Sequence, residues 1–370
     1  MKAFPLTTLD RMERIGQISY TADAQAMLPT NGGQISDPRF LWGLHLRIEG
    51  RATMPASGGP TALSADGIAS ILERITIQGY HRIRARNEKF FDLRGPDAKY
   101  VSDFFTLGNV SSLPASFSFS ANATNDFRVN IVVPFVPLGI PGAEAMSYLL
   151  DTPNYDQLQL ILQWGDPASM FATYSTAPTL TAFGSSTGTP QCYVNGRFAL
   201  AGANKFASMV PGRVFRYFVE VSGSIPTTTQ TSQYVQQIPR GNILRGIWAK
   251  TGVKSTTVTG GNNAYASLTD TALANLKVMR GTNYPIRFYP HQQDIGLENT
   301  LKRGYPYKPG YAFIDFAQNG FLAESLNARG LQAGGTAQTD LYVQGDVTGA
   351  SNQAFLFAWE EIQALPTKAV

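Results

Sequence analysis

A chain of 370 residues is longer than most single hydrophobic cores and argues for two or three domains. Apolar residues make up 43%, ample for a packed interior, but charged residues only 15%, a low-charge, amide-rich composition that suits a chain burying much of its outside against copies of itself. The net charge of +4 contains no polybasic block, the single cysteine rules out an internal disulfide framework, and no apolar run reaches the roughly 18 residues of a membrane span.

In chain order, Met1–Leu9 lacks the apolar centre of a signal peptide, so the sequence reads as that of a soluble protein made in a reducing compartment. Leu6, Leu9, Met12 and Ile15 form a loose helical stripe with Arg11 and Arg14 beside it, which predicts a short amphipathic helix within an N-terminal arm, residues 1–37. Strand alternation then begins. "RFLWGLHLRIEG" places Phe40, Trp42, Leu44, Leu46 and Ile48 on one face and His45, Arg47 and Glu49 on the other. "SADGIASILERI" sets Ile68, Ile71, Leu72 and Ile75 at helical spacing behind Ser64 or Asp66 as N-cap, and a strand ends this stretch with Ile75 and Ile77 inward. "HRIRARNEK" reads as a strand with Arg82, Arg84 and Arg86 on one face. "GPDAKYVSDFFTLG" predicts two helical turns with Val101, Phe104 and Phe105 inward. "ASFSFSA" alternates Phe117 and Phe119 with serines, as a strand does.

"FRVNIVVPFVPLGI" alternates Val129, Ile131, Val133 and Phe135, and the missing amides of Pro134 and Pro137 stop its ladder at Val133. "YDQLQLILQWG" alternates Leu158, Leu160, Leu162 and Trp164 with glutamines, and "CYVNGRFAL" puts Cys192, Val194, Phe198 and Leu200 on one face, a buried and inert thiol. Strands fill 38–203, a linker spans 204–212, and the same texture refills 213–370: Phe215, Tyr217, Val219 and Val221 alternate, followed by "ILRGIWAKTG", "LANLKVMRG", a helix in "DIGLENTLKRG", then "YAFIDFAQNG", "DLYVQGDVTG" and "NQAFLFAWEE". Two polar stretches, 168–190 and 253–270, read as long exposed loops. Each half has room for eight strands, the number in a jelly roll.

Chemistry is sparse. His45, His81 and His291 stand apart, without the His-x-His spacing of a metal site, and His45 falls on a polar face as a solvated side chain. Neither a phosphate-binding glycine loop nor a nucleophile elbow occurs. Glu360 and Glu361 are adjacent on a strand and point to opposite faces. No catalytic residue, metal ligand or cofactor follows from these residues. Trp42, Trp164, Trp248 and Trp359 keep open a tandem jelly-roll carbohydrate-binding or carbohydrate-processing protein, although Trp42 and Trp164 fall on apolar strand faces.

Three segments carry a resemblance: "GIASILERITIQG" through "GPDAKYVSDFF"; "NDFRVNIVVPFVPLG" with "YLLDTPNYDQLQLILQWGD"; and "KPGYAFIDFAQNGF" through "NQAFLFAWEEIQAL". In pattern the chain resembles the double jelly-roll major capsid proteins of tailless, membrane-containing icosahedral bacteriophages. That resemblance implies an all-β fold of two eight-stranded jelly-roll barrels with a few short helices, and no enzymatic activity. It implies a homotrimer forming a pseudo-hexagonal capsomer, which contacts neighbouring capsomers and other virion proteins such as penton or minor capsid proteins. It further implies a virion assembled in the host cytoplasm, without direct sequence-specific nucleic-acid binding. Leu6, Leu9, Arg11, Met12, Arg14 and Ile15 would form a membrane-proximal arm facing an internal lipid bilayer.

Overall fold

The computed structural model describes residues 10–28, 40–81, 85–108, 114, 116–135, 149–152, 155–172, 174–199, 214–224, 230–238, 243–254, 265–281, 284–316, 326–327, 341–348 and 353–364. The chain divides into two compact units, the first Met1–Arg216 with two short later segments, the second Tyr217–Thr256 with Tyr265–Gln363.

Eight principal strands build the first unit: β1 (Asp10–Ser19), β2 (Gln25–Leu28), β3 (Phe40–Thr53), β4 (Leu72–His81), β5 (Arg86–Leu93), β6 (Thr124–Pro134), β7 (Tyr155–Trp164) and β8 (Gln191–Ala199). One sheet has the order β1-β8-β3-β6, and the other contains β5-β4-β7-β2. Strand one therefore pairs with eight, two with seven, three with six and four with five, all antiparallel. That nested pairing is the jelly roll.

The second unit repeats it with β9 (Val214–Ser224), β10 (Gln230–Gln237), β11 (Ile243–Lys254), β12 (Leu273–Arg280), β13 (Tyr284–Tyr289), β14 (Tyr311–Asp315), β15 (Leu341–Val347) and β16 (Gln353–Ala364). Here β9-β16-β11-β14 form one sheet and β10-β15-β12-β13 the other. Helix α1 (Gly95–Thr106) lies between the fifth and sixth strands of the first unit, and α2 (Gln292–Arg303) occupies the same place in the second.

The first core forms where inward residues of the two sheets meet. Leu44, Leu46, Ile48, Val129, Ile131, Val133, Cys192 and Val194 come from one sheet, and Ile75, Ile77, Leu158, Leu160, Leu162 and Trp164 from the other; all are essentially inaccessible. Each such side chain contributes about 1.5–3 kcal/mol through its removal from water. Burial raises the Cys192 thiol far above its usual range, which holds it protonated and unreactive. In the second core, Ile247, Ala249, Ile314, Phe357 and Trp359 meet Leu273, Leu276, Val278, Val343 and, from α2, Ile295.

The two helices close off one sheet side in each unit. β6 is the last strand of its sheet, and the buried Ser102 of α1 accepts a hydrogen bond from the Val132 amide through its Oγ (2.8 Å). In the second unit, Arg303 at the end of α2 donates to Asp315 of β14 (2.5 Å), and the same carboxylate takes a hydrogen bond from the buried Arg245 of β11. In the first unit an open strand edge is thus given a side-chain partner instead of another strand, and in the second the helix is tied to β14 through side chains.

Several expectations change. Residues 10–28 form β1 and β2 of the first jelly roll, so they do not belong to an arm over 1–37, and the stretch from Asp10 to Ile15 is strand, not helix. Met12 and Ile15, two members of the expected stripe, fall on opposite faces of β1: Met12 is exposed, whereas Ile15, at a β-bulge between Arg14 and Gly16, turns inward against Gly196. Ile68 and Ile71 lie in a 3-10 turn, Gly67–Ile71, and the chain is already extended from Leu72, so the expected helix is one turn long. Asp66 occupies its N-cap but makes no side-chain cap bond.

His81 pairs with Arg86 across the β4–β5 hairpin; Arg82, Arg84 and the side chain of Arg86 lie outside the described residues. Phe117 and Phe119 stand in irregular backbone, their rings stacked 6.2 Å apart. α1 runs longer than two turns, and Phe105 is only half-buried. β6 does not stop at Val133: Pro134 pairs with Gly43 and the Phe135 amide donates to the Trp42 carbonyl, since a proline removes its own donor but not the next one. Within 168–190 lie a 3-10 turn (Pro167–Met170) and a short strand (Thr179–Thr181) on β3, and within 253–270 a short strand (Tyr265–Leu268) on β11. The linker at 204–212, Pro137 and Leu200 lie outside the described residues, as do the side chains of β9.

Two substitutions test this packing. Val133→Asp places a carboxylate among apolar side chains, and loss of the folded first unit in chemical denaturation is expected, at a cost of several kcal/mol. Ser102→Ala leaves the Val132 amide without that acceptor, which lowers stability by about 1–3 kcal/mol in the same measurement.

Candidate interaction surfaces

The outward face of the β1-β8-β3-β6 sheet is where polar and aromatic side chains converge. Register places them in rows: Met12 beside Arg197; Arg14 beside Asn195 and His45; Gln17, Tyr193, Arg47 and Asn130 in line; Ser19, Gln191, Glu49 and Arg128 in line; and Arg51 beside Asp126. Alternation sends the intervening Cys192, Val194, Leu46, Ile48, Val129 and Ile131 into the core, so the rows face outward by default.

Both carboxylates of this face, Asp126 and Glu49, are ion-paired, and Glu49 lies 3.4 Å from Arg47 as well as beside Arg128. Arg51 donates to both oxygens of Asp126 (2.7 and 3.0 Å), and the Gly184 amide adds a third bond to that carboxylate (3.0 Å). The Arg51 hydrogen bond is the main reason the Asp126 carboxyl titrates below its usual range. Arg128 donates to Glu49 at 2.5 Å and lies over the Phe183 ring at 5.4 Å. In the rows beyond, the guanidiniums rest on rings. Arg14 of β1 and Arg47 of β3 lie 4.7 and 5.0 Å from the centre of Tyr193 on the strand between them, and Arg197 lies 5.5 Å from the Trp42 ring. Such contacts hold a cation flat on the sheet.

Trp42 therefore faces outward, against its expected place in line with Leu44 and Leu46. Opposite Arg197 and Phe198 of β8, strand β3 carries one extra residue, Trp42, so Leu41 turns inward and Trp42 turns out, half-buried. His45 is not a solvated side chain either. It is half-buried, with Nε2 3.2 Å from Asn130 Oδ1, and its pKa is lowered by burial, with a further push from Arg47. Of the six N-terminal residues singled out by spacing, Leu6, Leu9 and the Arg11 side chain lie outside the described residues. Met12 is 58% exposed, Arg14 joins the Tyr193 cluster, and Ile15 turns toward the sheet interior. Outward-facing Trp42 had no signal in spacing, because a bulge moves the face of β3; Tyr193 and Arg197 fall outward by alternation with Cys192, Val194 and Phe198, but spacing does not join them to Arg14 or Arg47.

The other tryptophans do not line an open sugar platform. Trp164 and Trp359 are fully buried. Trp248, 3% exposed, stacks on Phe313 at 3.9 Å and donates its Nε1 to the buried Glu360. The second unit instead exposes apolar side chains around α2: Leu297 (57%) and Leu301 (77%), one helical turn apart, with Tyr307 packed over the buried Gly296. Among the described residues, no group of three or more His, Cys, Asp or Glu is arranged to hold a metal ion, and no helix is long and apolar enough to cross a membrane.

No protein-family model matches the sequence, and no curated protein is significantly similar to it. Solved structures do match. The crystal structure of the STIV MCP superposes with a TM-score of 0.69 at 13% identity, over 98% of this chain and 99% of that one. The major capsid protein P2 from bacteriophage PM2 gives 0.57 at 10% identity, over 98% and 100%. A quasi-atomic model of the PBCV-1 virus capsid gives 0.53 at 10% identity, over 99% and 96%. The likeness is one of fold, and it runs through both jelly rolls.

Protonating His45 carries a pH signature. Its folded pKa lies below the unfolded value, so its contribution to stability is complete above about pH 6.5 and is lost as pH falls toward the folded pKa. The melting temperature is expected to drop between pH 7 and pH 5, and by less in His45→Gln; equal drops in both proteins would contradict the burial assigned to this ring.

Proposed function

We propose that the chain is the major capsid protein of an icosahedral virus, a structural subunit that performs no reaction. The observation that carries this reading is the tandem jelly roll matching, end to end, proteins described as capsid components. Two barrels per chain let three chains supply six, and a three-fold ring needs only one kind of heterologous contact that closes on itself. The low charged content and the exposed Leu297–Leu301 pair fit a surface that meets other subunits. Neighbouring capsomers and penton or minor capsid proteins are the partners under this reading, with the virion as the place of residence and the host cytoplasm as the site of assembly.

A membrane-facing role, if an internal bilayer is present in that virion, falls to the residues before β1, with Leu6 and Leu9 among them, since β1 itself belongs to the jelly roll. Removing residues 2–9 is expected to leave the melting temperature unchanged, while removal through Gly16 strips most of β1 from β8 and unfolds the first unit.

Native mass spectrometry tests the reading directly. Three copies of the 40.2 kDa chain in one assembly are expected; a monomer at every accessible concentration, or affinity for glycans, would overturn it. Leu297→Ser with Leu301→Ser should change stability by no more than about 0.5 kcal/mol, as exposed sites do. The same pair should impair lattice formation seen by electron microscopy.

A further inference from the structure

We propose that the Arg14, Arg47 and Arg197 end of the β1-β8-β3-β6 face is a docking site for an extended acidic segment of another polypeptide. Three observations converge. The first is composition: Met12, Trp42, Tyr193 and three arginines stand together at an exposed site, the residue types over-represented where proteins bind one another, with no lysine among the rows described above. The second is charge. The rows of this face carry five guanidiniums and two carboxylates; Asp126 is held by Arg51, and Glu49 is shared between Arg128 and Arg47 (3.4 Å), which leaves an excess of positive charge toward Arg14 and Arg197. The third is spacing. In β8 numbering Arg197, Arg14 and Arg47 are rooted at rows 197, 195 and 193, successive outward positions of the sheet, and Arg14 leans along the sheet to share the Tyr193 ring with Arg47. Such positions repeat about every 6.6–6.8 Å, the same interval as alternate side chains of an extended peptide.

The stacked guanidiniums are pre-organised. Arg14 and Arg47 both rest on Tyr193 and Arg197 on Trp42, so little rotamer freedom is lost when each presents its edge to a carboxylate. The same stacking disfavours other anions. With guanidiniums of β1 and β3 already lying over Tyr193, a nucleobase that stacked on this ring would compete with them. Met12 is the one large apolar side chain of the patch that is well exposed, too little to enter a lipid surface. A second copy of this chain is a poor donor, since its sequence nowhere contains three consecutive acidic residues or an alternating acidic run. The assignment stands on one sheet face and is independent of the capsid reading.

The test is fluorescence anisotropy of the full chain with a labelled peptide of alternating glutamate and threonine. Binding is expected, weakened by salt and reduced about tenfold or more in Arg14→Gln/Arg47→Gln at unchanged melting temperature. A peptide with the same number of glutamates in adjacent pairs should bind more weakly. If the double variant fails to fold, the single exposed Arg197→Gln serves, with the same direction of effect. No binding of the alternating peptide, equal binding of its glutamine counterpart, or tighter binding of oligodeoxythymidine or of phosphatidylglycerol vesicles would each overturn the proposal.

Discussion

The hydrogen-bonding demand of the backbone governs this molecule. A chain whose regular structure is mostly strand must give its buried amides and carbonyls partners, and each open sheet has two edges where partners run out. Nested pairing of strand one with eight, two with seven, three with six and four with five satisfies the interior of both units by one rule. The residual edges are treated locally. Ser102 of α1 reaches the Val132 amide in the first unit, and the end of α2 joins the Asp315 network in the second. The two helices occur at the same point of each jelly roll, which suggests that they belong to the fold's solution of the edge problem and are not ornaments on it.

Once the edges are managed, the surface chemistry becomes informative. On the β1-β8-β3-β6 face, both carboxylates stand in the rows of Arg51 and Arg128, and the rows beyond carry guanidiniums that rest on Tyr193 and Trp42. Around α2 the sorting is of another kind, with leucines outward while Gln292 and Asn299 are buried. That inversion has a local cause for Gln292, whose amide donates to the buried Thr251 hydroxyl (2.8 Å). Two surfaces of different chemistry, one cationic and aromatic and one apolar, are what a subunit with more than one kind of neighbour needs.

Much of this was legible in the sequence because strand alternation is a local property. Leu44, Leu46, Ile48, Val129, Ile131, Val133, Leu158, Leu160 and Leu162 are apolar at every second position, and all are buried as that period requires. The all-β class, the two helices near Tyr100 and Ile295, and the inert Cys192 follow from the same local signals. Where local signals misled, a bulge or a turn had intervened. Met12 and Ile15, three residues apart, looked like one helical stripe but lie on opposite faces of a strand, and Trp42 left its expected face because a bulge in β3 reversed it.

The amino-acid order alone thus determined the period, the class and the approximate content of each core, since burial of alternate apolar residues needs no knowledge of which strands pair. Only the tertiary structure decided that residues 10–28 complete the first jelly roll, and that Arg14, Tyr193 and Arg47 stand together. Those contacts join positions far apart in the chain through strand register. Register depends on where bulges fall across all the strands of a sheet, a sum that no single segment contains.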